Sequence, residues 1–211
     1  MVDTKSGTSA FPLWGVVPYT LAALYAWRVG EFSDFNPKIG NIGLAMEYAD
    51  EFIFHAPLSS HLHKMSRYYL LEPYPTHNET IAYRSLKNPI SDDITFGDFS
   101  VKNMSDSFYY ENVIEYMKKA FQGLSDADID SKTMAEIECN VNIVIFGEEL
   151  NKLRFYLTPS REKIDQLISL AETIAAEFKR LWLIDNFEHG IEIFLEFISD
   201  RVAELKALKT V

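Results

Sequence analysis

Phe178-Lys179-Arg180-Leu181-Trp182-Leu183-Ile184-Asp185-Asn186-Phe187-Glu188-His189-Gly190-Ile191 joins two long amphipathic stretches. The segment has the character of a packed helix end and not of a catalytic loop. Upstream of it, Ile164, Leu167, Ile168, Ala171, Ile174, Ala175, Phe178, Leu181 and Trp182 recur at the 3.6-residue helical period. Downstream, Ile191, Phe194, Leu195, Ile198, Val202, Leu205 and Leu208 repeat the pattern. Two long helices with a short connection are antiparallel neighbours, so the junction predicts a helical hairpin.

Working outward, Thr158-Pro159 offers a cap followed by proline at the first helical position of the earlier of these two helices. Before it, Met134, Ile137, Val141, Val144 and Ile145 share one face of a helix expected from about Ser131 to Tyr156. A further helix carries Phe108, Val113, Met117 and Phe121, capped by Ser105 or Asp106 and ending near Gly123. Convincing strand alternation is absent. The fold class predicted is all-α, with an irregular helical N-terminal half followed by an antiparallel helical bundle. Residues 1–104 form a helix-and-loop segment and residues 105–211 the bundle.

The N-terminal half is less regular. Residues Phe11 to Trp27 carry no charge but are short for a membrane span, which needs about 20 apolar residues, and Pro12, Gly15 and Pro18 interrupt them. Asp3 against Lys5 gives no positive leader region. The expectation is a buried helix entered at Pro18 and closed at Gly30, apolar nearly all round. A second helix follows Asn36-Pro37 through Ile42, Met46, Ala49 and Ile53, with Glu47, Asp50 and Glu51 outward. Residues 55–105 hold Pro57, Pro73, Pro75 and Pro89, and predict loops with short helices, one near Leu62 to Leu71. So much irregular chain expects a packing neighbour.

The chain of 211 residues carries 31 acidic and 20 basic residues, a formal charge of −11, which argues against a nucleic-acid partner. A hydrophobic fraction of 47% excludes a disordered chain. Cys139 is the single cysteine, so no internal disulfide forms and a cytoplasmic setting suffices. Its neighbours Ile137 and Val141 predict a small buried thiol. No membrane partner and no cofactor are expected.

Several residue groups invite chemistry. Asp126, Asp128 and Asp130 alternate like a calcium loop, but Ser131 and Ile137 stand where that loop needs glycine and a bidentate glutamate, so a solvated acidic loop is expected. His55, His61 and His63 lack the spacing and supporting cysteines of a metal centre. Glu148-Glu149 and Glu136/Glu138 could supply acid-base carboxylates, but periodicity puts them on the solvent face, as a solubilising surface. Tyr68, Tyr69, Tyr74, Tyr83, Tyr109 and Tyr110 fit packing between helices and loops, although aromatic faces also bind sugar rings. No catalytic residue and no metal site is assigned.

The run from Phe178 to Leu183, with Asn186 and Gly190-Ile191, resembles the C-terminal helical region of bacterial glycoside hydrolase family 20 enzymes, the β-N-acetylhexosaminidases. Ser66-Arg67-Tyr68-Tyr69-Leu70-Leu71 resembles the segment crossing from their catalytic barrel to the helices, and Phe11 to Trp27 resembles the barrel's last helix. The resemblance implies a non-catalytic C-terminal portion of a glycosidase that braces the barrel or a dimer interface. Its partner would be that barrel in cis or a second subunit, and the chain alone would be inactive. The family's sugar-pocket Trp-Gly-Asp motif leaves only Asp3 as a substrate-binding counterpart, with Val2 in place of the glycine and Thr8 in place of the later acid. The catalytic Asp-Glu pair of the family lies in sequence that has no counterpart here. Two rival readings stand beside it: a free-standing helical binding or scaffold protein, and a hydrolase using the 55–105 loops with His61.

Overall fold

The computed structural model describes residues 41–74, 80–103, 108–124, 129–155, 159–186 and 188–209. The helix expected from Pro18 to Gly30, Asp3, Asp126, Asp128 and the caps Ser105, Asp106 and Thr158 lie outside those residues. Among the described residues the fold is all-α, as the periodicity predicts, with one small hairpin. The helices are α1 (Asn41–Ala49), α2 (Ser59–Ser66), α3 (Ile81–Lys87), α4 (Tyr109–Gln122), α5 (Ser131–Phe155), α6 (Arg161–Asp185) and α7 (Ile191–Leu208).

The last four helices run alternately up and down, and their cross-links give the direction. Phe178 packs on Phe194 with ring centres 4.1 Å apart, while Lys206 pairs with Glu172 and Lys209 with Asp165, so α6 and α7 are antiparallel. Lys163 with Glu149 and Lys132 with Asp185 fix α5 against α6 in the same sense. Glu111 with Lys152 does so for α4 and α5. The stripe of α6 is buried as expected at Ile164, Leu167, Ala171, Ile174, Phe178 and Leu181. The start of α6 is a correction: its cap is Ser160, whose Oγ accepts from the Lys163 amide, and Pro159 stands before the cap.

Helix α5 is the axis of the molecule. Ile137, Val141, Val144 and Ile145 face a core shared with Leu58, Leu62, Met65, Ile81 and α4. Cys139, Ile143, Phe146, Leu150 and Leu153 face a second core with α6 and α7. A helix covered on both sides must be apolar around most of its circumference, so its pattern carries little information about which face is outside.

In the first half, α1 passes into a π-helical turn, Asp50–Phe54. That wider turn rotates the following side chains by part of a turn. Ala45 and Ala49 are therefore buried while Ile53, expected on the same stripe, is 52% exposed. Asp50, expected outward, turns back and accepts from the amides of Leu58 and Ser59 at 2.9 and 2.6 Å, capping α2. The predicted helix from Leu62 to Leu71 is shorter and earlier: α2 ends at Ser66 and a 3₁₀ turn, Tyr68–Leu71, follows. The small hairpin pairs β1 (Thr95–Phe96) with β2 (Phe99–Ser100). Gly97 in its turn has φ +58°, where L side chains are strained. Tyr74 stacks on both Phe96 and Phe99, at 5.0 and 5.1 Å.

Candidate functional site

The polar chemistry of the described chain is concentrated around α3. A seven-residue helix does not hold itself together in water, because nucleation costs more than so few bonds return. Here side chains from distant parts of the chain meet backbone groups at both of its ends. At the N-terminus Thr80 Oγ1 accepts from the Tyr83 amide and also meets the Tyr68 hydroxyl at 2.9 Å. Glu72 accepts from the amides of Ile81 and Ala82 at 2.8 and 3.2 Å. A carboxylate there satisfies two orphan donors and faces the positive end of the helix dipole.

At the C-terminus stand two guanidinium groups. Arg154 of α5 donates through Nη2 to the carbonyls of Asn88 at 2.9 Å and Pro89 at 3.1 Å, and through Nε to that of Asp92 at 3.2 Å. Arg201 of α7 donates to the Leu86 carbonyl at 3.2 Å and pairs with Glu204 at 2.8 Å. Glu204 in turn accepts from the Ile90 amide at 2.8 Å. Both arginines are buried, and burial, followed by repulsion from Arg201, pulls Arg154 down to about 10.

The middle of α3 lies directly on the backbone of α5. A Cβ on Gly147 would sit 2.8 Å from the Ala82 carbonyl carbon and closer still to its oxygen. Only glycine permits that approach. The next residue, Glu148, is fully buried, and its Oε2 accepts from Asn151 Nδ2 at 3.1 Å. Asn151 Oδ1 accepts from Arg154 Nη1 at 3.4 Å and lies against Ser85 Oγ.

Glu148 and Glu72 are electrostatic neighbours, each bearing on the other's protonation. Two carboxyl groups can bond only when one carries a proton, and the environments decide which one. Glu72 has two amide donors, whereas Glu148 Oε1 has no donor of its own. The two amide donors therefore favour the charge on Glu72 and the proton on Glu148. Burial raises Glu148 well above the carboxylate range, reinforced by the charge of Glu72. Burial likewise raises Glu72 to about 7, offset in part by the Ile81 and Ala82 amides. The pair has the electrostatics of an acid-base dyad without its access: at 0% and 3% exposure neither carboxyl meets a substrate in this conformation.

Beside the Arg154 end, a cavity of about 640 Å³ is walled by Ile90, Leu153 and Phe155, with Lys102, Arg154 and Glu204 as its charged groups.

The sequence placed these groups imperfectly. Glu148, expected on a solvent face, is sealed, Glu136 is buried, and Glu149 is half-buried against Lys163; of the four only Glu138 is exposed. The cause is the double-sided burial of α5. Asp130 caps α5, its Oδ1 accepting from the amides of Lys132 and Thr133 at 3.0 and 2.9 Å. His55 is exposed at the end of the π-helical turn with φ 52°, and His61 and His63 sit on α2. Among the described residues no three histidine, cysteine or acidic side chains converge as metal ligands. Tyr109 and Tyr110 are buried in the first core, and Tyr68 belongs to the α3 cap. Cys139 is buried, which pushes its thiol up to about 12. No described helix is long and apolar enough to cross a membrane. Glu72, Arg154 and Arg201 were not singled out by the sequence; an arginine within an apolar stripe, as Arg201 is between Ile198 and Leu205, is the signal that could have found one of them. Compared with known proteins, the chain matches no family model, no curated protein and no solved structure.

Proposed function

We propose that this chain is the non-catalytic C-terminal helical portion of a glycosidase resembling the β-N-acetylhexosaminidases, and that it braces a catalytic barrel. The observation that carries the reading is a division of labour. The acidic and basic side chains best placed for chemistry are consumed in fixing α3 between α5 and α7. Large apolar side chains meanwhile stand in solvent: Leu70 at 46% and Leu71 at 40% exposed in the segment that resembles the barrel crossover, and Phe52 at 61% in the π-helical turn before α2. An inward-facing polar framework with an outward apolar flank suits a docking element better than an enzyme. Purified alone, the chain is expected to leave 4-nitrophenyl N-acetyl-β-glucosaminide intact and to bind a hydrophobic dye. Steady turnover by the isolated chain, lost in a Glu148→Gln variant that still folds, would overturn the proposal.

A second reading, a free-standing helical binding protein, is favoured by the 640 Å³ cavity beside Arg154. Saturable uptake of a small apolar ligand, abolished by Leu153→Trp, would support it over the first.

A further inference from the structure

We propose that the cavity between α5, α7 and the loop after α3 takes a ligand with an apolar body and a single carboxylate, whose head sits between Lys102 and Arg154 while its body lies along Leu153, Phe155 and Leu208. The site rests on the free-standing binding reading and narrows its ligand from any small apolar molecule to an apolar monoanion. At about 640 Å³ the cavity has the size of a small-molecule site. Its walls are mostly hydrocarbon, and its charges come from three side chains, Lys102, Arg154 and Glu204.

The two cations are held by neighbouring groups. Lys102 Nζ donates to the Ser91 carbonyl at 2.7 Å, and Arg154 Nε donates to the carbonyl of the next residue, Asp92, at 3.2 Å. Successive carbonyls of one loop thus bring two positive charges to the same wall. Among the described residues every hydrogen-bond acceptor of the two side chains is neutral, either a backbone carbonyl or the Asn151 amide oxygen. The nearby carboxylates are engaged with other donors. Glu204 accepts from Arg201 Nη2 and from the Ile90 amide, both at 2.8 Å. Asp92 accepts from the Ser91 hydroxyl and Asp93 from the Lys102 amide, both at 3.0 Å. Two like charges with no carboxylate bonded to either are costly where one of them is buried, as Arg154 is, and a bound anion offsets that cost. In a chain of net charge −11 such a positive surplus is local to this wall.

The donor inventory matches a carboxylate. Arg154 Nη1 commits one of its two hydrogens, to Asn151 at 3.4 Å, and the Lys102 ammonium one of its three, to Ser91. One carboxylate oxygen on each cation uses donors that remain. Glu204 on the same cavity wall repels a second negative charge, so a monoanion fits better than a phosphate dianion.

The test is titration of the full 211-residue chain with sodium octanoate and, separately, with octan-1-ol, followed by backbone amide NMR. Octanoate is expected to bind saturably and to move the Ile90, Leu153 and Phe155 amides. Its affinity is expected to exceed that of the alcohol by at least about tenfold, the worth of one charge-assisted hydrogen bond. Lys102→Met is expected to erase that difference by weakening octanoate alone, and Lys102→Arg to keep it. Should Lys102→Met fail to fold, the wild-type comparison of the two ligands decides the matter. Equal affinity for both ligands, or a preference for octanoate that survives in Lys102→Met, would overturn the carboxylate site and leave an apolar cavity that binds. Binding of neither ligand, or shifts centred on Leu70 and Leu71, would overturn the site and the binding reading together.

Discussion

Substituting Gly147 by alanine tests whether α3 and α5 touch backbone to backbone. In an ordinary helix interior, alanine is favoured over glycine by about 1 kcal/mol. At Gly147 the added Cβ would lie 2.8 Å from the Ala82 carbonyl carbon and 3.1 Å from its Cα, well inside the usual contact distance of about 3.5 Å. The obstacle is main chain, so no rotamer change relieves it and α3 must retreat. That retreat is opposed at both ends, by Glu72 at Ile81 and Ala82 and by Arg154 and Arg201 at the C-terminal carbonyls. Overpacking of this kind costs about 1–3 kcal/mol, with strained bonds at both caps adding to it. The net expectation is a loss of about 2 kcal/mol despite the better helix former. In urea denaturation followed by circular dichroism this moves the midpoint down by roughly 1 M. Gly43 in α1 is the control, because a Cβ there meets nothing within 4 Å. Gly43→Ala is expected to be neutral or to stabilise by up to about 1 kcal/mol. A Gly147→Ala protein as stable as wild type would refute the packing argument.

Arg154→Met removes the donors for the Asn88, Pro89 and Asp92 carbonyls, and is expected to cost about 3 kcal/mol or more in the same urea assay; a cost below about 1 kcal/mol would show that water replaces those bonds. The raised carboxyl of Glu72 carries a sign that can be checked. Between its ordinary 4.5 and its folded value of about 7 the folded chain holds more protons than the unfolded one. Its contribution to stability is thus greatest below about pH 4.5 and is lost as pH rises through 7, by on the order of 3 kcal/mol. Comparing wild type with Glu72→Gln at each pH cancels the carboxylates other than the neighbouring Glu148, and a flat difference would contradict the assignment. Cys139, buried and with its thiol pushed up to about 12, should resist a thiol reagent in native protein at about pH 8 and react fully in denaturant. The exposed pair Lys206–Glu172 is the contrast case: Lys206→Ala is expected to change stability by less than about 1 kcal/mol.

The bundle was legible because α6 and α7 each hide one face, and a one-sided helix writes its orientation into the 3.6-residue period. The same rule misplaced Glu148. Helix α5 packs on both sides, so a residue off its main stripe is still inside, and a buried carboxyl there looks like a solvent-facing one in the sequence. Ile53 was misplaced for a local reason, since a π-helical turn changes the period partway along the element. The hairpin at Thr95-Phe96-Gly97-Asp98-Phe99-Ser100 was missed although Gly-Asp between short apolar runs is a turn signal; strands of two residues are too short to show alternation. The cap set of α3 was beyond reach for a different reason. Glu72, Arg154 and Arg201 are separated by 82 and 47 positions of chain, and only the folded bundle brings them to one short helix.

The relation to a glycosidase barrel is tested most directly by the DNA immediately upstream of the Met1 codon in the source genome. The account predicts an open frame continuing into a (β/α)8 barrel with an adjacent Asp-Glu pair. An in-frame stop codon followed by a ribosome-binding site would contradict it, and would leave the helical fold as a protein in its own right.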